Sequence, residues 1–202
     1  MSQPLSKRLS IRKALASAFI VALAFSLSPV AKAQANETPT MIVLDNSGSM
    51  TAQDAGGQTR IDAAKQASTQ LINDISDRTD VGLTYYGGNT GETEADVEMG
   101  CQDVTIVGGP SRGNAGTLID TINSLQPRGF TPIGKALTDT AAELPEGGNI
   151  VLVSDGIANC TPPDVCEVAQ ELAQSGINLV INTIGLNVDP AAREELECID
   201  RK

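Results

Sequence analysis

The chain contains no histidine. That single lack removes Ser-His-Asp and Cys-His catalysis, imidazole acid–base chemistry, and histidine-ligated zinc or copper. Tryptophan is missing as well, and two Tyr and three Phe make up the whole aromatic content. Such a chain has little to offer as a stacking platform for nucleobases. None of its four cysteines forms a C-x-x-C pair, which argues against a four-cysteine zinc site.

Positive charge is scarce outside the first 33 residues. There, Lys7, Arg8, Arg12 and Lys13 precede the apolar run "LASAFIVALAFSLSPVA", and Ala31-Lys32-Ala33 offers a small-x-small cleavage site. This is the layout of a secretory signal peptide, with cleavage expected between Ala33 and Gln34. Pro29, several serines and a length below the ~20 residues that span a bilayer argue against an uncleaved anchor. No cysteine follows the cleavage site, which argues against a lipid anchor there. Loss of residues 1–33 leaves 9 basic against 25 acidic residues, a net charge of −16 for residues 34–202. A chain so acidic repels phosphate backbones and anionic lipid surfaces, so neither nucleic acid nor a membrane surface is an expected partner. The expected location is the periplasm or the exterior. There an even cysteine count favours two disulfides, with three connectivities open. The closeness of Cys160 and Cys166 around "TPPDV" predicts a local staple, leaving Cys101 for Cys198.

What is present is an alternation of apolar strands and amphipathic helices. Strands are predicted at 40–45, 80–87, 103–109, 148–156 and 178–186. Helices are predicted at 60–75, 116–125, 131–144, 163–176 and 189–199. The segment "GNTGETEADVEMG" reads as an exposed turn. Thr131 reads as the N-cap of its helix and Pro132 as the first helical residue. Such alternation implies right-handed crossovers and a doubly wound, mostly parallel central sheet flanked by helices, an α/β fold of Rossmann-like type.

Two strands run straight into aspartates: "MIVLDNSGSM" at Asp45 and "VLVSDG" at Asp155. In doubly wound sheets ligands bind beyond the carboxyl ends of the strands. Asp45, Ser47 and Ser49 leave one such end, Asp155 leaves another, and Thr131 sits in the loop "GFTPIG". All five carry hard oxygen donors, which suit Mg²⁺ or Ca²⁺ rather than a soft transition metal.

These motifs, Asp45-x-Ser47-x-Ser49, the Gly-x-Thr-Pro loop with Thr131, and Ser154-Asp155-Gly156, occur in one order across residues 40 to 200. In that order they resemble the von Willebrand factor type A domain and its metal-ion-dependent adhesion site. The resemblance implies Mg²⁺, or another divalent cation such as Ca²⁺ or Mn²⁺, bound directly by Ser47 and Ser49. It implies Thr131 bound directly or through water, with Asp45 and Asp155 acting through water and hydrogen bonds. It further implies a non-enzymatic adhesion or interaction module whose remaining ligand is a Glu or Asp of a partner protein. Relatives usually continue into another edge strand and a terminal helix. This chain is C-terminally short by comparison, so the family's helix-shift coupling is not carried over.

Other readings stand beside this one. "GFTPIGKA" nearly spells a phosphate-binding loop, but Ala136 replaces the hydroxyl that would hold Mg²⁺ and Pro132 removes a backbone N–H. A metal-assisted phosphohydrolase would use Asp45 as nucleophile, although Ser47 stands where such enzymes carry a second acid. A purely structural envelope protein with a vacant site is the third reading. The sequence leaves the oligomeric state open.

Overall fold

The computed structural model describes residues 37–200. The proposed leader, residues 1–33, lies outside them. The elements run β1 (Glu37–Asp45), α1 (Arg60–Ile75), β2 (Thr79–Tyr86), α2 (Val97–Gly100), β3 (Val104–Ser111), α3 (Ala115–Ser124), α4 (Ile133–Ala142), β4 (Gly148–Ser154), α5 (Val165–Gln174), β5 (Leu179–Gly185) and α6 (Pro190–Asp200).

The five strands form one sheet in the order β3-β2-β1-β4-β5. β1 pairs in parallel with both β2 and β4, and β4 with β5, whereas β3 runs antiparallel to β2. The connection from β2 explains the reversal. Residues 87–103 hold one 3₁₀ turn and the four-residue α2 in place of a crossover helix, and the chain turns back down the sheet edge.

β1 is apolar without interruption from Met41 to Leu44 because it is central and covered on both faces. Met41 and Val43 pack with Ile150, Leu152 and Ile181 under α4, α5 and α6. Ile42 and Leu44 pack with Val81, Leu83 and Val153 under α1 and α3. Full burial of each such side chain contributes roughly 1.5–3 kcal/mol, so the central strands are held firmly from both faces. α1 presents Ile61, Ala64, Ser68 and Ile72 to that second face at helical spacing. Its start is set by Thr59, whose hydroxyl accepts from the Asp62 N–H at 3.1 Å.

Three expectations from the sequence are corrected. The segment read as an exposed turn contains α2 and a capping box, in which Thr93 N and Oγ1 both reach the Asp96 carboxylate, at 3.0 and 2.6 Å. Thr131 is not a helix cap: Pro132 occupies the capping position of α4 and no side chain bonds there. The two disulfides pair Cys101 with Cys160 and Cys166 with Cys198, in place of Cys160 with Cys166 and Cys101 with Cys198. Cys166 lies in the first turn of α5, which packs on α6 and so faces Cys198. Cys160 lies in the loop before it and meets the chain just after α2.

Candidate metal site at the carboxyl edge of the sheet

β1 and β4 are neighbours from which the chain winds in opposite directions, β1 toward β2 and β4 toward β5. Their carboxyl ends therefore flank the point where strand order reverses. Asp45 is the last residue of β1, and Asp155 directly follows β4.

The oxygens of these two segments form a connected chain. Asp45 Oδ1 accepts from Ser47 N at 2.9 Å. Ser47 Oγ lies 3.2 Å from Ser49 Oγ, and Ser49 Oγ donates to Asp155 Oδ1 at 3.0 Å. On the inner side, Ser154 Oγ donates to Asp45 Oδ2 at 2.6 Å, and Tyr86 OH donates to Ser154 Oγ at 3.2 Å. Asp45 is wholly buried and Ser47 nearly so. Ser49, Thr131 and Asp155 open onto a cleft of about 260 Å³, lined also by Arg60, Asn159 and Asp189. Four of the five sequence-predicted residues are thus linked by hydrogen bonds, and Thr131 shares the cleft with two of them.

The loop carrying Thr131 is held in place by residues that sequence reasoning passed over. Asn46 donates through its side-chain amide to Gly87 O and Gln126 O, at 3.2 and 3.1 Å, and its own carbonyl accepts from Arg128 N at 2.9 Å. Gly48 N donates to Gly129 O at 3.2 Å. Gly87 permits this approach: at φ +68° it sits where a Cβ would meet the carbonyl oxygens of Arg128, Asn46 and Phe130 at 2.9–3.0 Å. Thr131 N donates to Asn159 Oδ1 at 2.7 Å, which anchors the loop to the segment after β4.

That segment is in turn fixed by the Cys101–Cys160 disulfide and by Glu195 of α6, which accepts from Ala158 N at 2.8 Å. Burial pushes the half-buried Glu195 carboxyl up from its usual 4.5, against the lowering effect of the Ala158 bond. Folding therefore holds a proton there that the unfolded chain has already released. Stability falls as pH rises from the unfolded value through the folded one. Glu195→Gln keeps an acceptor for Ala158 N and is expected to flatten that decline, read as denaturation midpoints of both proteins between about pH 4 and pH 7.

Burial also raises the Asp45 carboxyl, with the Asp155 charge adding to the effect and the Ser154 and Ser47 bonds opposing it. The cation that lines the cleft is Arg60, at the start of α1. Its Nη1 donates to Asp155 Oδ2 at 2.5 Å, and its Nε and Nη2 hold Asp54 at 2.8 and 2.7 Å. These carboxylates, Asp54 first, keep the guanidinium even more firmly protonated than usual.

The donor set fits a small hard cation. An octahedral ion with oxygens at about 2.0–2.1 Å places adjacent ligands roughly 2.9 Å apart. The 3.2 and 3.0 Å spacings from Ser47 Oγ to Ser49 Oγ to Asp155 Oδ1 are close to that edge. No cluster of three or more His, Cys, Asp or Glu suited to a metal occurs among the described residues, so any ion here depends on the hydroxyls. The loop "GFTPIGKA" does not make a phosphate cradle. Lys135 lies on α4 and pairs with Asp139 one turn on, at 2.8 Å.

Residues 40–157, more than half of the chain, match the family model of the von Willebrand factor type A domain, and the chain belongs to that family. It is 30% identical over 195 residues to the uncharacterized protein YwmD of Bacillus subtilis (strain 168), covering 93% of this chain and 86% of that one. Among solved structures it resembles proximal thread matrix protein 1 from the mussel byssus, described with a zinc-occupied MIDAS motif. That match has a TM-score of 0.58 at 17% identity, over 83% of this chain and 40% of the other. It also resembles the pilus adhesin SpaC from Lactobacillus rhamnosus GG, with a TM-score of 0.60 at 16% identity, over 83% of this chain and 27% of the other. The chain therefore spans less than half of either solved protein, and at such identities the likeness is one of fold.

Proposed function

We propose that the protein is an exported, divalent-cation-dependent module that binds a carboxylate of a partner protein. The observation that carries this is the run of oxygens from Ser47 Oγ through Ser49 Oγ to Asp155 Oδ1, spaced close to an octahedral edge, with Asp45 bonded to the Ser47 backbone behind it and Ser49, Asp155 and Thr131 opening onto one cleft. Ser47 and Ser49 would hold the ion directly and Thr131 directly or through water. Asp45 and Asp155 would orient those hydroxyls and ligand waters by hydrogen bonds. Mg²⁺ or another hard divalent cation suits a set without thiolate or imidazole. Bound there, the ion would supply a Lewis acid that favours an anionic oxygen, because few carboxylates neutralise it. The zinc-occupied MIDAS motif of the byssus protein and the likeness to the pilus adhesin SpaC support the same reading. Export is supported by the leader-like first 33 residues and by two disulfides, which persist in oxidising compartments. No helix among the described residues is long and apolar enough to cross a membrane.

The hydrolase alternative draws no support from Asp45. Its carboxylate is fully buried beneath the site, where it accepts from Ser47 N and Ser154 Oγ. A nucleophile must be reachable by its substrate, and a wholly buried carboxylate is not.

The acidity of residues 34–202 shapes the expected partner. A protein at −16 repels acidic surfaces, so the bound Glu or Asp is expected to stand among Lys and Arg. Capture from envelope extract with and without chelator identifies that partner, and its association and dissociation rates across salt test the division of labour. Chelator is expected to abolish binding, whereas raised salt is expected mainly to slow association, because screening acts on the exposed rim. Binding that survives chelator would place the contact elsewhere.

A further inference from the structure

Arg60 has no part in the ligand set just described, yet it touches that set directly. Its position is well determined. Arg60 N donates to Ala52 O at 2.9 Å, and Thr59 caps the helix that it opens. The guanidinium then grips two carboxylates at once. Asp54 takes Nε and Nη2 as a two-pronged fork, and Asp155 takes Nη1. Asp155 has a side chain with no exposure to solvent, whereas the Arg60 side chain is 18% exposed and forms part of the cleft wall. Both oxygens of Asp155 are thereby occupied, one by Ser49 and the other by a permanent cation. No other lining residue of the cleft is cationic.

A fixed positive charge on a carboxylate has two opposite effects. It stabilises the buried Asp155, which would otherwise lie close to the buried Asp45 with no counter-charge. It also repels any second cation drawn to the same carboxylate, and it does so strongly because the surroundings are poorly solvated. The fork to Asp54 prevents the arginine from simply swinging aside, since leaving Asp155 would break a three-point grip.

The geometry points to Arg60 as the residue that sets the affinity of this site for its ion. It is an internal cation that shares Asp155 with the divalent ion and keeps ion binding weak until an anionic partner adds its own charge. The inference rests on the ion-binding reading above. Its consequence is coupling: ion and carboxylate bind better together than either does alone, because the carboxylate offsets the charge that Arg60 contributes.

The test is calorimetric titration of Mn²⁺ alone into the wild type, Arg60→Met, Arg60→Gln and Arg60→Lys, with melting curves in chelator as the second readout. Arg60→Met and Arg60→Gln are expected to bind Mn²⁺ about tenfold or more tightly than the wild type. Both are also expected to melt at lower temperature in chelator, since Asp155 has lost its counter-charge. Arg60→Lys keeps the charge and is expected to bind close to the wild type. Arg60→Gln can still donate to Asp155, so it carries the test if Arg60→Met fails to fold. Unchanged or weaker Mn²⁺ binding in the neutral variants, beside measurable binding in the wild type, would overturn the role of Arg60 alone. No Mn²⁺ binding in any of the four proteins would overturn the ion site itself.

Discussion

Ser47→Ala and Thr131→Ala are expected to lose the stabilisation that a divalent cation confers on the wild type. An ion that binds only the folded state stabilises it by RT ln(1 + [L]/Kd), about 2.7 kcal/mol at a hundredfold excess over Kd. For a domain of this size that corresponds to a rise in melting temperature of roughly 5–10 °C. Ser47 is the link between Asp45 and Ser49, and its hydroxyl lies 3.2 Å from Ser49 Oγ. Its removal takes away an oxygen the ion needs while adding no bulk. Thr131 lines the same cleft from a different loop and caps no helix, so its removal leaves α4 intact. Asp45→Ala is expected to lose the ion's effect too. Burial and Asp155 both disfavour its charge, so removing it relieves repulsion at the cost of the Ser47 and Ser154 bonds. An equal melting shift with Mg²⁺ in the wild type and all three variants would sink the assignment.

The second large effect concerns the disulfide that borders the site. Replacing Cys101 and Cys160 together with alanine is expected to cost about 4 kcal/mol, because the bond closes a long stretch of the unfolded chain. Replacing Cys166 and Cys198 together is expected to cost about half a kcal/mol less, since the separations are 59 and 32 residues. The two pairs differ more in their effect on the site. Cys160 adjoins Asn159, whose side chain anchors Thr131 N at 2.7 Å. Loss of the first bond is therefore expected to weaken cation binding as well as stability, whereas loss of the second, between α5 and α6, is expected to change stability only. Chemical denaturation of each double variant, with and without cation, measures both. The reverse pattern would detach the disulfide from the site.

The same residues indicate what could be read from the sequence and what could not. β1 was legible because a fully apolar run ending in aspartate has few uses other than a central strand with a polar tip, and β4 repeats it at Asp155. The five longer helices were legible from their spacing, to within a few residues at each end, whereas the four-residue α2 is too short to show a period. The serines of Asp45-x-Ser47-x-Ser49 and the threonine of the Gly-x-Thr-Pro loop were legible as oxygen donors.

Their supports were not. Asn46 looks like filler between two conspicuous residues, yet its backbone and side chain hold the loop that brings Thr131 in. Ser154 was legible as the first residue of the Ser154-Asp155-Gly156 motif, but not as the donor that orients Asp45. Arg60 reads as the first residue of an amphipathic helix, and its partner Asp155 lies 95 residues away. The cysteine pairing failed for a related reason. Nearness in sequence favoured Cys160 with Cys166, but α5 begins at Val165 and turns Cys166 toward α6. Pairing depends on which elements pack together, and that is a property of the assembled sheet.

The most direct measurement is anomalous diffraction from crystals of the protein soaked in Mn²⁺. The expected result is one strong peak at the carboxyl edge of the sheet, about 2 Å from Ser47 Oγ and Ser49 Oγ and facing the cleft beside Thr131. A peak at another place only, or none at Mn²⁺ concentrations that saturate binding in solution, would contradict the assignment of this cleft as the cation site.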